Sequence, residues 1–538
     1  MNFERRTFFQ LCSACAAFLA GGSKQQAQSA PQAGQPAQSA PQAGRQGRSG
    51  GAPQGGRGGR GAGAGSGAVK HRKNFVAIQV RPYAWIDEGI DSLLDNIQNK
   101  GGVNTIWAYT YDYAVARLSP SGSSPLPDHG RAVRPGDSRI VGGAFYDYDQ
   151  KYFSGTSLKD FRSTDFGKFN VISEVAPKAK ARGMDFFCWD YNTRVNSIPN
   201  IARVMEVDIN GRRTASPCFN HPDYRAHLTG KIESYLREYG SMVDGIAWGC
   251  ERMGSLGTGA GGHSCFCEHC QAKAKERGLS MLRAQMGFRA MDEVFRAAAQ
   301  DQRPSDGYLV SFWRVLLKYP EVLGWEQLWT DGYHEARQEV YGMAKAVAPE
   351  KPFGFHIMQH MTFSPFYRAE EDYSETKNYT DFLKLATYSN AGGPRLAAFL
   401  ERLSATVLHD CKPQDFMALF YKVMNYQGGS IDELPSAGLP ASYVAQETKR
   451  GIAGVAGSQV KIYPGIDVDV PSLVPRGGPP RPTDKKTAPD DVRQATRAAF
   501  DAGADGVVLC REYVEMWLAN LSAAGDTLRD IFSKQTPG

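Results

Sequence analysis

Eight short β-prone runs, most of them followed by an amphipathic stretch, constrain this chain more than any other feature. The runs are 75–80, 104–110, 184–190, 243–249, 352–358, 381–388, 459–466 and 505–510. Helical patterns lie between and after them at 90–99, 169–182, 222–239, 332–348, 395–408, 490–501 and 515–532. Each run is short and β-rich, of the sort buried in a parallel sheet. Several helical patterns stop at a small-residue turn, Arg182-Gly183 and Ala502-Gly503 among them. Strand–helix alternation repeated eight times predicts a (β/α)8 barrel, the TIM barrel; an open doubly wound sheet is the alternative. A length of 538 residues suits one such barrel with long insertions. Long segments follow the second, fourth and seventh runs, at 111–167, 251–331 and 467–489. All three leave the carboxyl ends of strands, the face on which a barrel builds its active site.

The first 74 residues have another texture. Arg5-Arg6-Thr7-Phe8-Phe9, followed by an apolar stretch at 11–20, reads as a twin-arginine-type export signal over residues 1–22. That stretch is about half of the roughly 20 apolar residues a membrane-spanning helix needs, and no other segment is apolar for long enough. Residues 23–74 are low in complexity, with Ser-Ala-Pro-Gln-Ala-Gly written from Ser29 and again from Ser39. Such a segment has almost nothing to bury and reads as a disordered tether. The remainder, 75–538, is the expected catalytic barrel, placed by the signal in the periplasm or outside the cell. The formal charge of +6 comes from the tail: residues 1–74 hold ten Lys/Arg and one acid, leaving 52 Lys/Arg against 55 Asp/Glu beyond them. A folded part so near neutrality argues against a nucleic-acid surface.

Polar and aromatic residues gather where the runs end. Aromatic faces beside carboxylates and hydrogen-bonding groups suit a carbohydrate, whose C–H face stacks while its hydroxyls need partners. Glycoside hydrolysis needs two carboxyl groups flanking the scissile bond. Glu251, after the fourth run, is the candidate general acid. Asp467, after the seventh, is the candidate second carboxylate, with Asp469 and Glu512 behind it. Arg81, Tyr109, Asp190, His356 and Arg511 are candidate substrate contacts. Arginines at strand ends raise an acidic sugar as substrate, because a guanidinium grips a carboxylate with two hydrogen bonds. Two other readings stand beside this one. His356 and His360 could serve a metal-dependent hydrolase, or the barrel could bind carbohydrate without cleaving it.

Cys265-x-Cys267-x-x-Cys270 can clamp three corners of a tetrahedral zinc, and Cys218 can close the fourth. His263 and His269 are spare donors. Four protein ligands leave no open position, so such a zinc would be structural. A disulfide within the cluster, or free thiols, are the rival readings in an oxidising compartment.

At these residues the chain resembles the β-galactosidases of glycoside hydrolase family 42, within the clan of (β/α)8 retaining glycosidases. The likeness rests on Cys218-Phe219-Asn220-His221-Pro222-Asp223-Tyr224-Arg225, on Cys250-Glu251 and on the thiols of 265–270, about sixty residues in all. It implies a structural zinc on Cys218, Cys265, Cys267 and Cys270, and an acid/base role for Glu251. Cys250 stands where the clan has Asn. Asp467 stands where the clan places a Glu nucleophile; being one methylene shorter, it favours an inverting water mechanism. Other segments, such as Gly354-Phe355-His356-Ile357-Met358, are similar to uncharacterised bacterial proteins described as hypothetical glycosyl hydrolases. The sequence thus reads as an exported glycoside hydrolase acting on a carbohydrate.

Overall fold

The runs pair as their alternation predicts. A computed structural model describes residues 69–112, 127–130, 141–192, 195, 198–257, 262–469 and 485–535, and in it eight parallel strands close into a barrel. They are β1 (Phe75–Val80), β2 (Thr105–Tyr109), β3 (Asp185–Tyr191), β4 (Gly245–Gly249), β5 (Phe353–Ile357), β6 (Phe382–Leu385), β7 (Lys461–Asp467) and β8 (Gly506–Cys510). Each pairs with the next, and β1 closes the ring on β8 with Phe75 opposite Gly506. The predicted signal, and the predicted tether up to residue 68, lie outside the described residues. The last residues assigned to the tether are anchored, since Arg72 reaches Asp185 at 2.8 Å and the Gly183 carbonyl at 2.7 Å. Among the described residues no helix is long and apolar enough to cross a membrane.

Side-chain alternation sorts each strand between two cores. One core lies between the strands and the outer helices; the other fills the ring. Inside the ring, Phe75 stacks on Tyr463 at 4.1 Å and Trp107 lies 5.5 Å from Trp189. These aromatics plug the barrel below and leave its carboxyl end for chemistry. Their bulk needs small residues opposite: a Cβ on Gly249 would stand 2.5 Å from the Trp189 ring.

Two helices differ from their expected bounds for identifiable reasons. The pattern at 395–408 is a helix at Ser389–Ser404, which begins before Pro394 because Asp467 caps its first turn. The pattern at 332–348 starts eleven residues earlier, as Glu321–Val347, running through Gly324 and Gly332. Gly332 faces the Asn220 side chain so closely that a Cβ would meet it at 2.5 Å. Insertions also follow β3 and β6, where none was expected. The first carries the hairpin Met205–Val207 with Arg213–Pro217, and the second carries Ser389–Ser404 and Pro413–Met424 before Ala441–Gly454 packs against β6 and β7.

Candidate active site at the carboxyl ends of the strands

On β4 the inward positions Gly245, Ala247 and Gly249 lead to Glu251 just past the strand end. Its side chain is 40% exposed at the mouth. His356, inward on β5, donates from Nε2 to Glu251 Oε1 at 2.8 Å, and the Tyr191 hydroxyl of β3 donates to Oε2 at 3.0 Å. Burial opposes ionisation of Glu251, yet the hydrogen bond from His356, the Lys384 ammonium and Tyr191 together hold its carboxyl well below the usual range. His356 itself is pushed down to about 4, by burial first and then by Lys384. A neutral imidazole donating a hydrogen bond from its Nε2–H to an ionised carboxylate follows. Lys384, inward on β6, is fully buried and donates to the Tyr388 hydroxyl at 2.5 Å. Burial lowers its ammonium.

β8 lies four strands from β4 in the ring of eight, so the two face each other. Two residues beyond Cys510, Glu512 accepts from the Tyr109 hydroxyl at 2.5 Å and from Arg81 at 3.2 Å, both on Oε1. Its buried Oε2 has no hydrogen-bond partner among the described residues. Burial raises the Glu512 carboxyl, while Arg81 works against that rise. Arg81 spends its Nη1 on Asp112, at 3.1 and 2.9 Å to the two carboxylate oxygens. Tyr109, Trp189 and Tyr191 line the wall between, with Trp189 and Tyr191 stacked at 5.7 Å.

The structure thus gathers Glu251, His356, Tyr109, Arg81 and Glu512. It puts others elsewhere. Asp467 is fully buried, and its oxygens accept from the Ser389 and Ala391 backbone N–H groups at 3.1 and 2.9 Å. It is a helix cap, and burial raises its carboxyl to about 6. Asp469 takes the Trp517 N–H at 2.7 Å and the Asn520 amide at 2.9 Å. Asp190 points out of the ring, between two inward aromatics, to a buried ion pair with Lys231 at 2.7 Å. Arg511 grips Glu515 at 3.0 and 2.6 Å. His360 heads the short helix His360–Phe363, and among the described residues neither it nor His356 belongs to a group of three donors spaced for a metal ion. Lys384 was not singled out from sequence, although a lysine inside the apolar run Phe382-Leu383-Lys384-Leu385 was a signal for it.

Cys218, Cys265, Cys267 and Cys270 are buried, and their sulfurs lie within 4.8 Å of one another. No disulfide joins any of the four in this structure. Cys218 Sγ is 3.5 Å from Cys270 Sγ and 3.7 Å from Cys267 Sγ. A tetrahedral zinc with Zn–S near 2.3 Å has sulfur–sulfur edges of about 3.8 Å, so the donor set fits that ion. Backbone N–H groups of Val207 and Cys267 point at Cys265 Sγ and the Asn220 amide at Cys270 Sγ, as thiolates require. The cluster joins the insertions after β3 and β4. Beside it, Arg252 donates to the Pro217 carbonyl and to Glu206, both at 2.5 Å, and so holds the residue after Glu251.

No protein-family model matches the chain, and no curated protein sequence matches it. Solved structures do. The polyextremophilic β-galactosidase of the Antarctic haloarchaeon Halorubrum lacusprofundi is 12% identical, over 85% of this chain and 58% of that one, with a TM-score of 0.49. The β-galactosidase of Rahnella sp. R3 is 13% identical over 87% and 57%, with a TM-score of 0.48. The PgaB glycoside hydrolase domain of Bordetella bronchiseptica is 11% identical over 85% and 99%, with a TM-score of 0.45. The chain spans less than two thirds of the two β-galactosidases. At such identities the likeness concerns architecture alone.

Proposed function

We propose that this protein is a glycoside hydrolase in which Glu251 and Glu512 are the working carboxyl groups. The observation that carries the reading is their placement across one barrel mouth in unlike surroundings: Glu251 accepts from His356 and Tyr191 on its two oxygens, which favours its ionised form, whereas Glu512 is buried with one oxygen lacking a hydrogen-bond partner among the described residues, and burial raises its carboxyl. Two carboxyl groups driven apart in this way divide into base and acid. Glu251 is then the nucleophile or the base that activates water, and Glu512 the proton donor to the leaving oxygen. That reverses the role read for Glu251 from sequence and moves the second role from Asp467 to Glu512. The aromatic wall of Tyr109, Trp189 and Tyr191 supports a sugar ring as the bound group.

The test is hydrolysis of a panel of aryl glycosides and oligosaccharides by the protein and by Glu251→Gln and Glu512→Gln. Both variants should lose turnover while still binding. If azide restores turnover to the Glu251 variant, giving a glycosyl azide, Glu251 is the nucleophile; the first-formed anomer, read by proton NMR, gives the same answer independently. Sugar binding by the parent protein with no turnover on any member would leave a carbohydrate-binding barrel instead.

The cysteine cluster supports one structural zinc per chain, which elemental analysis of the purified protein would count. Arg5-Arg6 and the apolar stretch after them support export. Lysines at both positions should then retain the protein in the cytoplasm, as cell fractionation would show.

A further inference from the structure

Within the insertion after β2, the turn Pro127–His129 packs against the segment that follows β8. The His129 side chain is 9% exposed and sits between two acceptors. Its Nε2 lies 2.6 Å from the Met516 carbonyl oxygen and its Nδ1 3.4 Å from Glu88 Oε2. A carbonyl only accepts, so Nε2 carries a proton. In a neutral imidazole the Nδ1 lone pair would then face the Glu88 carboxylate, so this contact needs a second proton. Glu88 Oε1 accepts from the Tyr513 hydroxyl at 2.6 Å and from the Asn96 amide at 2.7 Å, which favours an ionised Glu88 and leaves that proton on His129. Burial opposes an imidazolium here, but Glu88 and the Met516 carbonyl outweigh it and raise His129 above its ordinary value. Burial likewise opposes the Glu88 carboxylate, and His129, Tyr513 and Asn96 outweigh it there. The other titratable groups facing the ring are Asp128, on the same turn, and Tyr513, whose ring lies 5.0 Å away. Asp128 itself takes the Ala519 N–H at 3.2 Å.

Both partners of His129 belong to elements that hold Glu512. Met516 closes the turn Tyr513–Glu515 with its N–H on the Tyr513 carbonyl, and Glu512 heads that turn by accepting the Glu515 N–H at 2.9 Å. Glu88 ends the helix Pro82–Glu88, and Arg81, just before that helix, donates to Glu512 Oε1 at 3.2 Å. Helix and turn are therefore tied at both ends: Arg81 to Glu512 at one, Glu88 to Tyr513 and, through His129, to Met516 at the other. We infer that His129, as an imidazolium, is a positioning residue, a pH-sensitive latch that holds in place the turn headed by Glu512. The inference rests on the role proposed for Glu512. Folding favours the imidazolium, so the latch is closed below the ordinary histidine value of 6.5 and opens as pH rises through the raised one.

Glu88→Gln separates charge from shape. Its amide oxygen can still accept from Tyr513 and Asn96, and its NH2 can donate to Nδ1 of a neutral imidazole, so the latch should stay closed as pH rises. NMR titration of histidine-labelled protein, with the His129 signal assigned by its loss in His129→Leu, should give a pKa above 6.5 in the parent and below it in Glu88→Gln. Hydrogen exchange of residues 513–519, compared at equal pH, should match in these two proteins at about pH 6 and be faster in the parent at about pH 9. His129→Leu should exchange fast at both. On an aryl glycoside that the parent cleaves, the ratio of kcat in Glu88→Gln to kcat in the parent should rise about tenfold over that range with KM little changed, the scale of one hydrogen bond. An ordinary or lowered His129 pKa in the parent overturns the inference, as does exchange at 513–519 that is the same in parent and Glu88→Gln at both pH values. A latch that titrates while the kcat ratio stays flat overturns the link to Glu512 and leaves the hydrolase reading standing. If no glycoside is turned over, the hydrolase reading is what fails, and the titration and exchange still decide whether the latch exists. The titration of the parent serves if either variant fails to fold, since the raised pKa is read there.

Discussion

Glu251 and Glu512 carry the same functional group and differ only in what surrounds it. Glu251 divides its two donors between its oxygens and has an ammonium nearby; Glu512 is buried, with the Tyr109 hydroxyl and a shared guanidinium both on one oxygen. As a base, Glu251 works while ionised, so activity falls as pH drops through its lowered pKa. His356→Ala removes the strongest donor, the carboxyl rises toward its ordinary value, and the acid limb of kcat/KM should move to higher pH. A limb that stays in place would separate Glu251 from the rate. Asp467 makes the opposite case. Its folded pKa, about 6, lies above the ordinary 3.8. Such a group adds stability below the lower value and loses it as pH rises through the higher, a span of roughly 3 kcal/mol. Asp467→Asn cannot titrate. The melting temperature of the parent relative to this variant should therefore decline between about pH 4 and pH 6, which calorimetric scans at several pH values would show. This difference between two carboxylates was not legible in the sequence. Both follow an apolar strand, and only the backbone amides of Ser389 and Ala391 mark one as a cap.

At the scale of elements, the strands were legible nearly to the residue, because burial on both sides leaves most positions of each strand apolar. The insertions were less so. Pro394 and the preceding Gly392-Gly393 hid the start of Ser389–Ser404. Asp190 shows why a strand-end acid need not be functional: one register step turns it from the lumen to the helix Pro222–Tyr239, where Lys231 donates to it at 2.7 Å and to Asn192 at 2.6 Å. Burial lowers the Lys231 ammonium, and the fully buried pair has no water to replace a missing member. Lys231→Met should cost about 3–5 kcal/mol in denaturant unfolding, because it strands the Asp190 carboxylate. The double replacement Asp190→Leu with Lys231→Met should recover much of that loss. A single variant as stable as the parent would show that the pair does not join helix to sheet.

For the whole molecule, the question is how a cluster in an insertion bears on chemistry in the ring. The cysteines fix the hairpin Met205–Val207 with Arg213–Pro217 against the segment leading into Glu268–Glu276. Glu206 of that hairpin takes Arg252 at 2.5 Å, Ser264 at 2.7 Å and the Trp329 indole at 2.8 Å. The clamp therefore reaches Glu251 through the backbone of its neighbour, and by position only. A metal in that place supplies no open coordination site, so brief treatment with a mild chelator should leave kcat near its starting value. Chelation in partly denaturing conditions should release one zinc per chain and lower the melting temperature together with activity. Cys267→Ser should show the second behaviour from the outset. A metal-dependent hydrolase working through His356 and His360 would behave otherwise: activity would vanish on mild chelation with the melting temperature unchanged, and return on adding metal. Parallel measurement of zinc content, melting and turnover along one chelation series separates the two, since only a structural clamp makes all three fall together.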